Sequence, residues 1–251
     1  MVKSGVNSGQ PRLAFWLERD NLAACEIAAL AGFELVIIDM EHGALGPEAL
    51  DRIVAHCRAS RLVCYVRVAA PDRMLIQQAL DFGADGVMLP QIVDAGHAVE
   101  VAAYAKYPPL GSRGVGYSRT MRYGWVEDGF FEAENRRTLC CLMIETPGAL
   151  RDVDTIVNLD TVDGLFIGPS DLSMTRGRGP FRFSAGDAED FRTVAAAASR
   201  AGKPLGLPTP SRPGYDLAVE LKADYVTISD DLSALQAGFK QALNMARSGT
   251  G

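Results

Sequence analysis

The chain has 251 residues, 48% of them hydrophobic, and a formal charge of −6. That length supports one large core or two small ones, and an acidic chain with scattered basic residues has no electrostatic footprint for nucleic acid or an anionic membrane. The five cysteines (Cys25, Cys57, Cys64, Cys140 and Cys141) are odd in number and lack C-x-x-C spacing, which argues for a reducing compartment and against structural zinc.

In chain order, short β-rich runs alternate with segments of helical period. RLAFWLE precedes NLAACEIAALAG, ELVIIDM precedes GPEALDRIVAHCRAS, and LVCYVRV precedes PDRMLIQQALDFGA. GVMLP is followed by DAGHAVEVAAYAKY, TLCCLMIE by TPGALRDVDTIVNL, and GLFIGP by AGDAEDFRTVAAAASRAG. KPLGLPT leads to RPGYDLAVELKA, and YVTISDD to the closing DLSALQAGFKQALNMA. About eight strand–helix pairs in a chain of this length match a single-domain α/β fold, the (β/α)8 TIM barrel. A doubly wound open sheet is the alternative, disfavoured because no G-x-G-x-x-G follows the first strand. The barrel is expected over residues 12–246, with flexible tails at 1–11 and 247–251. Four strands are entered through one device, in AGFELVII, GADGVML, TVDGLFI and KADYVTI, where a helix stops at a small residue or Asp and a buried run begins at once. The long insert PPLGSRGVGYSRTMRYGWVEDGFFEAENRR, before the fifth strand, reads as an active-site loop or an oligomer contact. No apolar run reaches the roughly 18 residues of a membrane span. MVKSGVNSGQP at the start is too short and polar for a secretory signal, so a cytoplasmic location is expected.

In such a barrel the active site lies at the C-terminal ends of the strands. Those ends carry Asp39, Glu41 and His42 after the second strand, Arg67 after the third and Glu145 after the fifth. Gly168-Pro169-Ser170-Asp171 follows the sixth, and Asp230-Asp231 the eighth. A carboxylate after a strand commonly caps the next helix, and Asp171 and Asp231 suit that role. Four strands nevertheless deliver acid, base and cation to one rim. Glu145 follows the apolar run LCCLMI, so it should be desolvated, and an unpaired carboxylate there calls for a cation. Glu145 with Asp171 would offer hard oxygen ligands to Mg2+ or Mn2+; an internal salt bridge to Arg67 is the alternative. His56 and His97, on predicted helices, read as structural. The five lysines, Lys3, Lys106, Lys203, Lys222 and Lys240, all fall away from strand C-termini, which argues against imine chemistry.

VIIDMEHG, VRV, ALDFGADGVMLPQI, KYPPLGSRGVG, MIETPGAL and GLFIGPSDLS resemble, in order, the segments of the HpcH/HpaI aldolases, from about Arg12 to the final helix. The resemblance implies a divalent-metal-dependent class II pyruvate aldolase acting on 4-hydroxy-2-keto acids through a pyruvate enolate. It implies a TIM barrel whose last helix can be exchanged between partners in a homo-oligomer, a hexamer built from dimers. By position it makes Glu145 and Asp171 the metal ligands, for Mg2+ or Mn2+ with Co2+ also admissible, and it calls for no organic cofactor. Arg67 would contact the carbonyl oxygen, His42 with Asp39 would form the acid/base dyad, and Glu41 would lie near metal-bound water. The backbone of Gly168, Pro169, Ser170 and Asp171 would receive the pyruvate carboxylate. The family commonly has Gln two residues before the metal-binding Glu, where this chain has Met143, so a polar contact near the keto acid is expected to be lost. GLPTPSRPG, after the seventh strand, is expected to shape the aldehyde pocket. Two alternatives stand beside the aldolase: an acyl-CoA lyase of the malyl-CoA or citryl-CoA type, and a catalytically weak keto-acid-binding homologue.

Overall fold

The computed structural model describes residues 10–248. The tails expected at 1–11 and 247–251 lie largely outside the described residues. Strands β1 (Arg12–Leu17), β2 (Leu35–Asp39), β3 (Val63–Arg67), β4 (Gly86–Leu89), β5 (Leu139–Ile144), β6 (Gly164–Ile167), β7 (Leu205–Pro208) and β8 (Tyr225–Asp230) close in sequence order into one parallel barrel. Each falls within one of the eight apolar runs. Around them lie α1 (Leu22–Ala31), α2 (Pro47–Ala59), α3 (Arg73–Asp81), α4 (Ala95–Ala103) and α5 (Phe130–Arg137). Then come α6 (Pro147–Arg151), α7 (Val153–Val157), α8 (Pro169–Thr175), α9 (Ala185–Ala201), α10 (Arg212–Glu220) and α11 (Asp231–Arg247). Among the described residues no helix is long and apolar enough to cross a membrane.

The strands read as continuous apolar runs because both faces are buried. Val36, Ile38, Val66 and Leu142 turn outward into the layer shared with the helices. Leu35, Ile37, Tyr65, Met88, Met143, Phe166 and Tyr225 fill the barrel interior. Gly206 makes room for that filling, since a Cβ there would lie 2.2 Å from the Tyr225 ring. Because side chains alternate, the residues two beyond Ile37, Tyr65 and Met143 share the inward side, which delivers Asp39, Arg67 and Glu145 to one mouth.

The recurring Asp before a strand has a specific function. Asp85, Asp163 and Asp224 each accept a backbone N–H from the first or second residue of the preceding strand, from Cys64 (3.0 Å), Cys140 (2.9 Å) and Leu205 (2.8 Å). Their own N–H groups return bonds to the carbonyls of the same three residues. Three even-numbered strands are thereby registered against their odd-numbered neighbours at the N-terminal end of the barrel.

The structure corrects the sequence reading at three places. The insert, read as loop throughout, contains a helix, α5, and its first part is anchored on α3. Arg113 is buried with its guanidinium 2.7 Å from Asp81 and 4.5 Å from the Tyr107 ring centroid, and Gly114 donates to Gln77. The segment TPGALRDVDTIVNL breaks at Asp152 into α6 and α7, and Asp152 accepts the N–H that begins α4. The helix-capping roles also shift by position. Asp230, not Asp231, caps α11 by accepting from Ser233, and Asp171 sits inside the first turn of α8 behind Gly168.

Candidate active site

The C-terminal mouth gathers the side chains expected there. Asp39, last in β2, is buried, and its carboxylate takes a two-pronged contact from Arg67, last in β3: Nε donates to Oδ1 at 2.9 Å and Nη2 to Oδ2 at 2.5 Å. The registered pairing of Asp39 with Arg67 across β2 and β3 places both where this fork can form. Arg67 Nη1 also lies 3.2 Å from Glu41 Oε2, and the guanidinium carbon sits 4.6 Å from the centroid of Trp16 on β1. Arg67 is therefore fixed on three sides. Its ion pairs run to Asp39 and Glu41, so the alternative of a salt bridge to Glu145 is not the one formed.

The remaining Asp39 capacity goes to backbone. Oδ1 accepts the N–H groups of Glu41 (3.0 Å) and His42 (3.2 Å), which folds the turn after β2. Asp39 thus reaches His42 through its main chain and does not orient the imidazole, contrary to the expected side-chain dyad. The carboxylate nearest the ring is Glu41, whose Oε2 lies 3.9 Å from Nε2, and the His42 side chain is 66% exposed. Burial pushes the Glu41 carboxyl above its ordinary range, with Arg67 and His42 opposing and the charges of Asp39 and Asp171 adding to it.

Glu145 is likewise buried, 3% exposed, and among the described residues no arginine forks its carboxylate as Arg67 does that of Asp39. Burial pushes its carboxyl up to about 7; the Gln91 N–H opposes that rise, while the charges on Glu41 and Asp171 reinforce it. Gly168 is glycine for the sake of this group, because a Cβ there would lie 2.1 Å from Glu145 Oε2. Asp171 enters from the first turn of α8, and Gln91 bridges the two acids. Its N–H donates to Glu145 Oε1 at 2.5 Å, and its side-chain amide to Asp171 Oδ2 at 2.9 Å. Among the described residues no group of three His, Cys, Asp or Glu stands in metal-binding array. Any ion held by Glu145 and Asp171 would therefore take its other ligands from water or substrate, as Mg2+ commonly does.

Around this centre, Ser170 and Asp171 lie in the first turn of α8, ahead of the first helical bond from Leu172 to Gly168, and Pro169 has no N–H to offer. Glu18, just past β1, donates its N–H to Asp231 Oδ1 at 3.0 Å, and its own carboxyl is raised, by burial first and then by Asp230, Asp39 and Asp231. Trp16, Gln91 and Glu18 were not anticipated as site residues. Trp16 and Glu18 were findable by counting in twos from Ala14 along β1; the bridging role of Gln91 leaves no mark in sequence. Lys106 is buried against Asp163, beside the start of β6, so among the described residues no lysine approaches the mouth. His97 accepts the Val93 N–H and His56 lies 3.3 Å from Glu26, both structural contacts.

The model of the HpcH/HpaI aldolase/citrate lyase family matches residues 12–203. The chain is 35% identical over 213 residues to a 4-hydroxy-2-oxovalerate aldolase of Novosphingobium aromaticivorans, covering 82% of this chain and 78% of that one. It is 31% identical over 255 residues to a 2-keto-3-deoxy-L-rhamnonate aldolase of Klebsiella pneumoniae, covering 98% and 92%. Among solved structures, an HpcH/HpaI aldolase from Desulfitobacterium hafniense superposes with a TM-score of 0.88 at 30% identity, over 95% of this chain and 93% of that one.

Proposed function

The chain belongs to the HpcH/HpaI aldolase/citrate lyase family, and from that premise we propose that it is a carbon–carbon lyase, a class II pyruvate aldolase. It cleaves a 4-hydroxy-2-keto acid into pyruvate and an aldehyde, and runs the condensation in reverse. The observation that carries the reading is the convergence at one mouth of an immobilised arginine and a buried pair of acids bridged by Gln91.

Glu145 and Asp171 fit a divalent cation, Mg2+ or Mn2+ before Co2+. Both offer hard oxygen, and a carboxyl raised to about 7 by burial is one that a nearby positive charge would return to its ionised form. When bound, the ion supplies Lewis-acid stabilisation of the negative charge that develops on the keto oxygen. Arg67 brings a second positive charge to that oxygen, and because Asp39, Glu41 and Trp16 hold it, little reorganisation is needed as the charge grows. The substrate carboxylate is received at the start of α8, where Ser170 and Asp171 offer N–H groups and Gly168, without a side chain, leaves room beside Glu145. In cleavage the proton leaves the C4 hydroxyl, the C3–C4 bond breaks, its electron pair enters the enolate, and the aldehyde departs. His42, exposed and beside Glu41, carries that proton between the site and solvent, and C3 is protonated to give pyruvate. Met143 lies inward beneath Glu145, so the floor of the keto-acid site is apolar at that point.

The active form is a homo-oligomer in the cytoplasm. In α11 only Asp231 is buried, and Leu235, Phe239, Leu243 and Met245 project into solvent, a face suited to a second copy of the chain. The five cysteines are all buried and unpaired, in keeping with a reducing compartment.

The test is a panel of 4-hydroxy-2-keto acids incubated with protein and Mg2+ or Mn2+, with pyruvate release read by lactate dehydrogenase. Release should stop on EDTA treatment and with Glu145→Ala. Activity that survives both removes the cation from the reading, and absence of turnover with every substrate and ion removes the aldolase.

A further inference from the structure

We propose that Gln91 is a positioning residue that clamps the two carboxylates of the cation site, and that its strained backbone is what allows one residue to reach both. The inference rests on the proposed function, which makes Glu145 and Asp171 the ligands.

Gln91 is one of the few non-glycine residues with a left-handed backbone, φ +54°. Such a conformation is unfavourable for a residue with a Cβ, and it persists where the surroundings over-determine it. Here the surroundings do. Next to it, Thr146 Oγ1 donates to Ile92 O at 2.7 Å and lies 3.3 Å from Val93 O. Gly148 leaves so little space that a Cβ would come 2.1 Å from Val93 O. The turn after β4 is thus stitched to the turn after β5 independently of the Gln91 side chain.

On that fixed turn, Gln91 addresses two elements far apart in sequence. Its N–H holds Glu145 Oε1, 54 residues on, and its amide holds Asp171 Oδ2, 80 residues on. Each carboxylate has one oxygen tied by a neutral donor, and its partner oxygen is left for a cation. Donors that bind a metal's ligands rather than the metal orient those ligands, and their removal typically weakens metal affinity about 10- to 100-fold. Gln91 stands in that relation to both acids at once. Met143, inward beneath Glu145, supplies no such donor from β5, so the amide function at this edge comes from β4.

The test uses the full-length protein and free Mn2+, titrated by calorimetry or by its electron paramagnetic resonance signal, with the unfolding temperature of the metal-free protein measured in parallel. Gln91→Met keeps the stem and the backbone N–H and removes the amide. It should raise the Mn2+ dissociation constant about tenfold while leaving the metal-free unfolding temperature near that of the parent. Gln91→Gly should weaken Mn2+ similarly, yet unfold at a higher temperature than Gln91→Met, because glycine accepts the left-handed backbone without strain. If both variants bind Mn2+ like the parent while Glu145→Gln does not, the clamp is wrong and the cation site stands. If Glu145→Gln also binds like the parent, the site beneath the inference is wrong. If Gln91→Gly unfolds below Gln91→Met, the strain half is overturned.

Discussion

Replacing Glu145 by glutamine removes a charge whose burial the fold tolerates poorly, and the size of the effect follows from the environment. The carboxyl is held at about 7 in the folded protein against an ordinary 4.5. Between those two values the folded state binds a proton that the unfolded chain has released, so stability falls as pH rises through that window. At about 1.4 kcal/mol for each pH unit, the full penalty above pH 7 is about 3 kcal/mol, and it vanishes below pH 4.5. For a protein of this size that corresponds to roughly 6–12 °C in unfolding temperature. Metal-free Glu145→Gln should therefore unfold above the parent at pH 8 by an amount of that order, and alongside it at pH 4.5. Saturating Mn2+ should close the gap by stabilising the parent alone, by about 2.7 kcal/mol at a hundred times the dissociation constant. Thermal unfolding followed by circular dichroism from pH 4.5 to 8.5, with EDTA and with Mn2+, gives the answer. Parallel curves for the two proteins without metal would refute the assignment of Glu145 as an uncompensated buried acid.

The remaining predictions concern its neighbours. Gly168→Ala forces a Cβ into the space of the Glu145 carboxylate; overpacking of about 1–3 kcal/mol should lower the unfolding temperature by several degrees. The displaced carboxylate should reduce kcat by about a hundredfold, since a misplacement on the order of 1 Å has that effect; kinetics at the parent level would contradict the close fit. Arg67→Lys keeps the charge and loses the fork to Asp39, so kcat/KM should drop by about a hundredfold or more through kcat, as for loss of one charge-stabilising donor; a change confined to KM would contradict the role. Phe239→Glu places a charge on the exposed face of α11 and should lower the mass of the proposed homo-oligomer by light scattering; an unchanged mass would remove α11 from the interface.

The barrel was legible because parallel strands buried on both faces announce themselves as apolar runs, and because Gly, Ala and Asp mark the tight turns into four of them. The candidate site was legible in composition and less so in wiring. Asp39 and His42 stand three apart after one strand, a spacing that suggests a dyad, but the fork from Arg67 is registered directly opposite Asp39 and wins its carboxylate. Asp230 and Asp231 are indistinguishable as caps until the backbone chooses one, and the rejected residue instead ties β8 to β1 through Glu18. The helix at Phe130–Arg137 was hidden because FFEAENRR is short and polar, and its place is set by contacts such as Arg137 with Asp85 and Asn135 with Tyr107. Gln91 was invisible because a positive φ is a tertiary outcome.

These contacts share one design. Arg67 on β3 holds Asp39 on β2, Gln91 after β4 holds Glu145 after β5, Gln91 again holds Asp171 on α8, and Glu18 after β1 is held by Asp231 after β8. These bonds join neighbouring strands or, for Gln91 and Asp171, reach past β5 from the end of β4 to the turn after β6, which gives a belt of bonds around much of the rim. A belt of this kind is preorganised for charge development, because its dipoles are already aimed before substrate arrives. It is also acidic, and a keto acid is an anion, so a divalent cation held by Glu145 and Asp171 would offset their two charges and lessen the repulsion of the substrate. Between β7 and β8 the bond beyond β7 is a backbone one, from the Thr209 N–H to Thr227 O at 2.9 Å, and β8 itself ends in Asp230 with Asp231 after it, so the mouth is acidic on that side as well.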